Sequence, residues 1–153
     1  MKNIAQSKVT EYVTATIGGQ LFGLPILRVQ DVFAPERLTR VPLAPPEIAG
    51  VLNLRGRIVT LIDMRRRLGL EEPGNVAAPM AVGVESRGES YGLLIDSIGE
   101  VLKLESVAWE PTPANLDARL AGVSTGIYRL DGQLLIVLDV DRVLDVEMKA
   151  AAA

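Results

Sequence analysis

The chain has no cysteine and no histidine. Without thiols it can form neither a disulfide nor a thiolate metal centre, which suits a reducing compartment. Without imidazole it lacks the commonest general base and the commonest transition-metal ligand. Aromatic residues are scarce, at 4% with a single tryptophan, so the core must be built from valine, leucine, isoleucine and alanine. The net charge is only −3, and no global positive field draws the chain to nucleic acid or anionic lipid. Long apolar runs are also missing. The cleanest, Leu134 to Leu138, falls far short of the ~20 residues a membrane helix needs, and Met1 to Lys8 lacks the apolar core of a secretory signal. A cytoplasmic protein is expected.

What is present is a hydrophobic fraction of 48% in 153 residues, enough for one compact domain or for two small lobes that share a core. The densest information lies between Ile48 and Leu70. An apolar strand, Ile48 to Leu54, meets a tight basic turn, Arg55-Gly56-Arg57, then a second apolar strand, Ile58 to Ile62, and a short helix with Asp63 as N-cap and Gly69 as stop. Strands this apolar are buried on at least one face, while two guanidinium groups cannot be buried unpaired. Any site is therefore expected near that turn.

Taken in order, the segments on either side of Gly18-Gly19 read as a β-hairpin whose second strand ends at Pro25. Val29, Val32 and Phe33 continue an apolar pattern around Asp31, and proline-rich 39–47 reads as a loop. Glu71-Glu72-Pro73-Gly74 is the best candidate boundary. Beyond it the pattern repeats: a shift of 69 positions places Phe22-Gly23-Leu24 on Tyr91-Gly92-Leu93 and Gly19 on Gly88. With a small insertion, Ala49-Gly50-Val51 falls on Ala121-Gly122-Val123, Gly56 on Gly132 and Asp63 on Asp139. On that alignment the second copy has a longer turn, from Thr125 to Gly132. Repeats of roughly 70 residues with about five short strands fit two small barrels, approximately 11–72 and 76–147, joined by a third apolar interface. Strand exchange between the lobes is compatible with this pattern.

Catalytic signatures are missing: there is no nucleophile elbow, no dinucleotide fingerprint and no phosphate loop with its lysine. Asp63, Asp139, Asp141 and Asp145 could be offered as a hard-metal cluster, but helix capping explains Asp63 and Asp139. Arg65-Arg66-Arg67 reads as a solvated helix face. Arg55 is open to two readings, a structural arginine paired with Asp31 or a guanidinium at a protein interface. Val29, Val32 and Phe33 are likewise either core or the lining of a groove for a partner helix.

The run I-A-G-V-L-N-L-R-G-R-I-V-T-L-I-D-M, preceded by F-G-L-P-I-L-R-V-Q-D-V-F and followed by A-G-V and L-L-I-V-L-D-V, closely resembles the CheW family of bacterial chemotaxis coupling proteins over about Glu11 to Leu144. The resemblance implies a single domain over 1–153, mainly β, with two small five-stranded SH3-like barrels around a shared hydrophobic core and short helices. It implies a non-enzymatic adaptor, without cofactor or metal, that couples the cytoplasmic tip of methyl-accepting chemoreceptors to the regulatory domain of the histidine kinase CheA in signalling arrays. It assigns protein binding to Val29, Asp31, Val32, Gly50, Asn53, Leu54, Arg55 and Gly56, with Asp at position 31 where the family carries Glu. The alternatives are a CheW-like regulatory domain of a larger kinase or fusion protein, and a small barrel that binds nucleic acid or a ligand. The second would require clustered basic and aromatic residues, whereas Tyr12, Phe22, Phe33, Tyr91, Trp109 and Tyr128 are scattered.

Overall fold

The computed structural model describes residues 8–70 and 79–145. The first half forms β1 (Val9–Ile17), β2 (Gln20–Pro25), β3 (Val29–Phe33), β4 (Ile48–Leu54), β5 (Arg57–Asp63) and α1 (Met64–Leu68). The second forms β6 (Met80–Ser86), β7 (Glu89–Ile95), β8 (Ser97–Glu105), β9 (Trp109–Glu110), α2 (Ala118–Gly122), β10 (Ser124–Leu130), β11 (Gln133–Leu138) and α3 (Val140–Val143). The chain is mainly β, as expected. The proposed boundary at Glu71 to Gly74 lies outside the described residues.

The strands make two sheets, one of six in the order β8-β1-β2-β11-β10-β9 and one of five in the order β3-β6-β7-β5-β4. Neither sheet is one contiguous half. The β1–β2 hairpin of the first half lies beside β11 in the second half's sheet, and the β6–β7 hairpin lies beside β5 in the first half's sheet, both through parallel pairs. The segments 11–72 and 76–147 therefore do not each close their own barrel. Each half lends its leading hairpin to the other.

Exchange explains why the central strands are apolar on both faces. Along β11, Leu135 and Val137 join a cluster with Tyr12 and Tyr128 inside the six-stranded sheet, while Ile136 and Leu138 face a larger cluster between the sheets. In β6, Ala81 belongs to the five-stranded sheet's own core with Leu52, Val59 and Leu61, and Val82 and Val84 to the shared one. Period-two alternation thus divides each such strand between two cores. The expected third apolar interface is the largest cluster, holding Phe22, Leu24, Ile62, Met64, Leu93 and Ile136.

The structure corrects the repeat alignment in its second part. Ala121-Gly122 ends α2 rather than lying in a strand, and Thr125 to Leu130 belongs to β10, so the turn after it is only Asp131-Gly132. The real equivalence is a shift of 76 that carries β4–β5–α1 onto β10–β11–α3. It places Gly50 on Gly126, and the register slips at both, between Ile48 and Gly50 and between Ser124 and Gly126. A β-carbon at Gly126 would collide with the Trp109 indole, and one at Gly50 would stand 2.5 Å from the Thr39 carbonyl oxygen. Each glycine marks a bulge that another segment crosses closely.

Candidate protein-binding surface

The β4–β5 turn is tight because both central residues are left-handed, Arg55 at φ 53° and Gly56 at φ 84°. That is the primed turn matching strand twist, and it favours Asn-Gly over Arg-Gly. Asn53 Oδ1 accepts a hydrogen bond from the Gly56 amide at 2.8 Å, which steadies the turn. Arginine gains nothing from this backbone conformation. Its side chain is 78% exposed.

Asp31 reaches the same place from the opposite edge of the sheet. The register of β3 slips between Val29 and Asp31, and the carboxylate lies over Gly83 of β6, where a β-carbon would collide with it. Arg55 Nη1 stands 3.7 Å from Asp31 Oδ2. Because β3 and β4 are the two edges of the five-stranded sheet, this approach requires the sheet to be rolled until its edges face each other. The seam leaves a depression of about 430 Å³ bordered by Asp31, Phe33, Leu54, Arg55, Arg57 and Tyr91. A second depression, of about 610 Å³, shares Phe33 and Leu54 and continues to Arg37, Thr39 and Ile58. Burial, then the neighbouring Glu89, pushes the Tyr91 hydroxyl up, so it stays a neutral hydrogen-bonding group at ordinary pH.

Of the eight residues expected to bind a partner, five meet here: Asp31, Asn53, Leu54, Arg55 and Gly56. Val29 packs against the shared core, and Val32, 39% exposed, alternates with Asp31 and Phe33 along β3 in burial. Gly50 is buried beneath the segment that bridges Thr39 to Val51. Sequence reasoning placed Arg57 in the basic turn without assigning it to binding, and missed Arg37, Ile58 and Tyr91. Ile58 carried a usable signal, since alternation with Val59 and Leu61 turns it outward, and it is 63% exposed.

Asp63 and Asp139 are helix caps, accepting from the amides of Arg66 and Arg142 at 3.2 Å. Among the described residues no group of three or more acids is placed to hold a metal. Arg65-Arg66-Arg67 is not a solvated face. Arg65 is largely buried and pairs with Asp96, and Arg67 donates to the Val143 and Arg142 carbonyls, closing the end of α3. Only Arg66 points substantially to solvent.

The CheW-like domain family matches residues 11–148 of the chain. The chain belongs to the CheW family. It is 28% identical to the chemotaxis protein CheW of Klebsiella aerogenes over 140 residues, which cover 92% of this chain and 84% of that one. It is 25% identical to the CheW of Rhizobium meliloti over 142 residues, covering 93% and 92%. The crystal structure of the scaffolding protein TtCheW from Thermoanaerobacter tengcongensis superposes with a TM-score of 0.83 at 27% identity, covering 94% of this chain and 97% of that one. These likenesses place the chain among chemotaxis scaffold proteins, with the two-lobed fold that its sequence implied. No helix among the described residues is long and apolar enough to cross a membrane.

Proposed function

We propose that the protein is a cytoplasmic, non-catalytic adaptor that joins the regulatory domain of a CheA-type histidine kinase to the cytoplasmic tip of methyl-accepting chemoreceptors. The observation that carries this reading is an arginine in a turn whose backbone disfavours it, its guanidinium exposed beside a groove lined by Phe33 and Leu54 among others. A guanidinium this exposed is free to meet a group outside the chain. A planar, weakly hydrated cation beside apolar side chains suits a protein partner. Strand pairing on β4–β5 fixes the backbone that carries Arg55 and Leu54.

Calorimetric titration of the intact protein with the isolated kinase regulatory domain, and separately with a receptor-tip helical hairpin, tests the proposal. Dissociation constants around 10 μM or tighter, roughly −7 kcal/mol, are expected for the kinase domain. No heat and no spectral change with either partner up to roughly 100 μM would count decisively against it.

A further inference from the structure

The two sheets are built to one plan, so each residue inside one has a counterpart inside the other. The shift of 69 carries β1 and β2 onto β6 and β7, and the shift of 76 carries β4 and β5 onto β10 and β11, with the same strand partners in both sheets. The core inside the six-stranded sheet is full. Tyr12 and Tyr128 meet edge to face with ring centres 5.5 Å apart and hydroxyl oxygens 3.2 Å apart, and Leu21 and Leu135 belong to the same cluster. In the five-stranded sheet the places of Tyr12, Tyr128, Leu135 and Leu21 are taken by Ala81, Leu52, Val59 and Ser90. All four are smaller. Phe33 for Leu102 and Leu61 for Val137 return only part of that volume. The depression of about 430 Å³ opens on this underfilled side, bordered by Val59 and Ser90 themselves.

The rim differs in charge as well. Asp31 and Arg55 face each other, whereas Arg57 donates to Ser90 Oγ at 3.3 Å and stands in no ion pair among the described residues. The counterparts of Asp31, Arg55 and Arg57 are Glu100, Asp131 and Gln133, two acids and no cation. The five-stranded sheet therefore joins room for a ring to one uncompensated guanidinium.

We propose that this depression is the socket for one aromatic side chain of the protein partner, and that a carboxylate next to that ring in the partner pairs with Arg57. The inference rests on the adaptor reading above and names the chemistry the partner brings. The six-stranded sheet indicates the shape of the guest, because it fills the corresponding space with aromatic rings from its own chain. Phe33 and Tyr91 border the space and offer an edge or a face to a ring. An aliphatic anchor would leave some of these walls without contacts, and a cation beside the ring would be repelled by Arg57.

The test uses the full chain and the dipeptide N-acetyl-Asp-Phe-amide as probe, with its Asp-Leu and Asn-Phe counterparts. Saturable shifts of the Gly83, Ser90 and Tyr91 amide resonances are expected with a dissociation constant of roughly 1–10 mM, and binding at least about threefold weaker for either counterpart. Arg57→Gln should abolish the preference for Asp over Asn while keeping that for Phe over Leu. The double variant Val59→Leu with Ser90→Leu fills the socket with the residues used by the other sheet. It is expected to melt no lower than wild type, to lose the dipeptide shifts and to bind the kinase regulatory domain or the receptor-tip hairpin at least tenfold more weakly; if it does not fold, Ser90→Leu alone is read in the same way. No saturable shift up to about 20 mM, or shifts that survive filling, would overturn the proposal. If filling abolishes the dipeptide shifts but both partners bind as before, the depression takes a free aromatic acid rather than a partner's side chain, and the proposal also falls. The dipeptide experiments involve no partner protein, so failure of the socket is distinguishable from failure of the adaptor reading, which shows as wild-type protein that binds neither partner.

Discussion

Arg55 and Asp31 face each other at 3.7 Å across the seam of a rolled sheet, one on the tip of β4–β5 and the other on the far edge strand β3. The geometry gives the structural reading of the arginine little energetic weight. A pair this long, with the guanidinium 78% exposed, is worth well under about 1 kcal/mol to folding. The pair orients Arg55 more than it holds the barrel shut.

Arg55→Ala is therefore expected to leave the melting temperature within a few degrees of wild type and to weaken kinase-domain binding by roughly tenfold or more. A double-mutant cycle with Asp31→Ala on stability is expected to give a coupling below about 0.5 kcal/mol. A large loss of stability at unaltered affinity would return Arg55 to a structural role.

Arg55→Asn separates the turn from the site in the other direction. Asparagine tolerates the left-handed conformation and gives the favoured Asn-Gly turn, so thermal unfolding is expected to show a gain of about 0.5–1 kcal/mol. Binding is expected to fall as far as in the alanine variant. Parallel changes in stability and affinity would contradict this.

Gly50→Ala is expected to damage folding rather than recognition. At φ 153° the residue is outside the comfortable range of an L side chain, and the added carbon would press on the Thr39 carbonyl and the Leu38 side chain. A loss of about 2–4 kcal/mol by urea denaturation is expected. Whatever fraction stays folded at low temperature should bind the kinase domain with near-native affinity.

Acid should release the pair between Arg65 and Asp96. Desolvation raises the Asp96 carboxyl, but the Arg65 hydrogen bonds, the Gly18 amide and the Arg65 charge outweigh it and hold the group below its ordinary value of 3.8. A carboxylate depressed in the folded state stabilises the protein fully above that ordinary value, and its contribution is lost as pH falls through the depressed one. Asp96→Asn is expected to cost about 1–2 kcal/mol at pH 7 and to flatten the decline in stability below pH 3.8. An unchanged acid limb in the variant would show that other carboxylates set it.

Local features were readable from the chain because their causes are local. The hairpin turn at Gly18-Gly19, the basic turn at Arg55-Gly56 and the Asp63-capped helix ending at Gly69 each depend on residues within a few positions of one another, and each is found where the residues demand. The duplicated apolar pattern called for two lobes and a shared interface, since neither half has enough apolar surface to stand alone. The identity of Ala121-Gly122-Val123 with Ala49-Gly50-Val51 is misleading, because the true counterpart of Gly50 is the bulge glycine Gly126, whose role shows only where Trp109 lies over it.

The sequence by itself determined the class of fold and the family, and pointed to the Arg55 turn as the place to look, because strand periodicity, turn chemistry and the Asn-Leu-Arg-Gly run are written in neighbouring residues. Only the tertiary structure decided which hairpin joins which sheet, that Val29 packs on the core and Gly50 lies under the Thr39 segment while Tyr91 and Ile58 border the two depressions, and that Arg65 pairs with Asp96 rather than facing solvent. The physical reason is that strand partners, burial and ion pairing join residues far apart in the chain, such as Tyr12 with Tyr128 and Arg65 with Asp96, which no local pattern brings together.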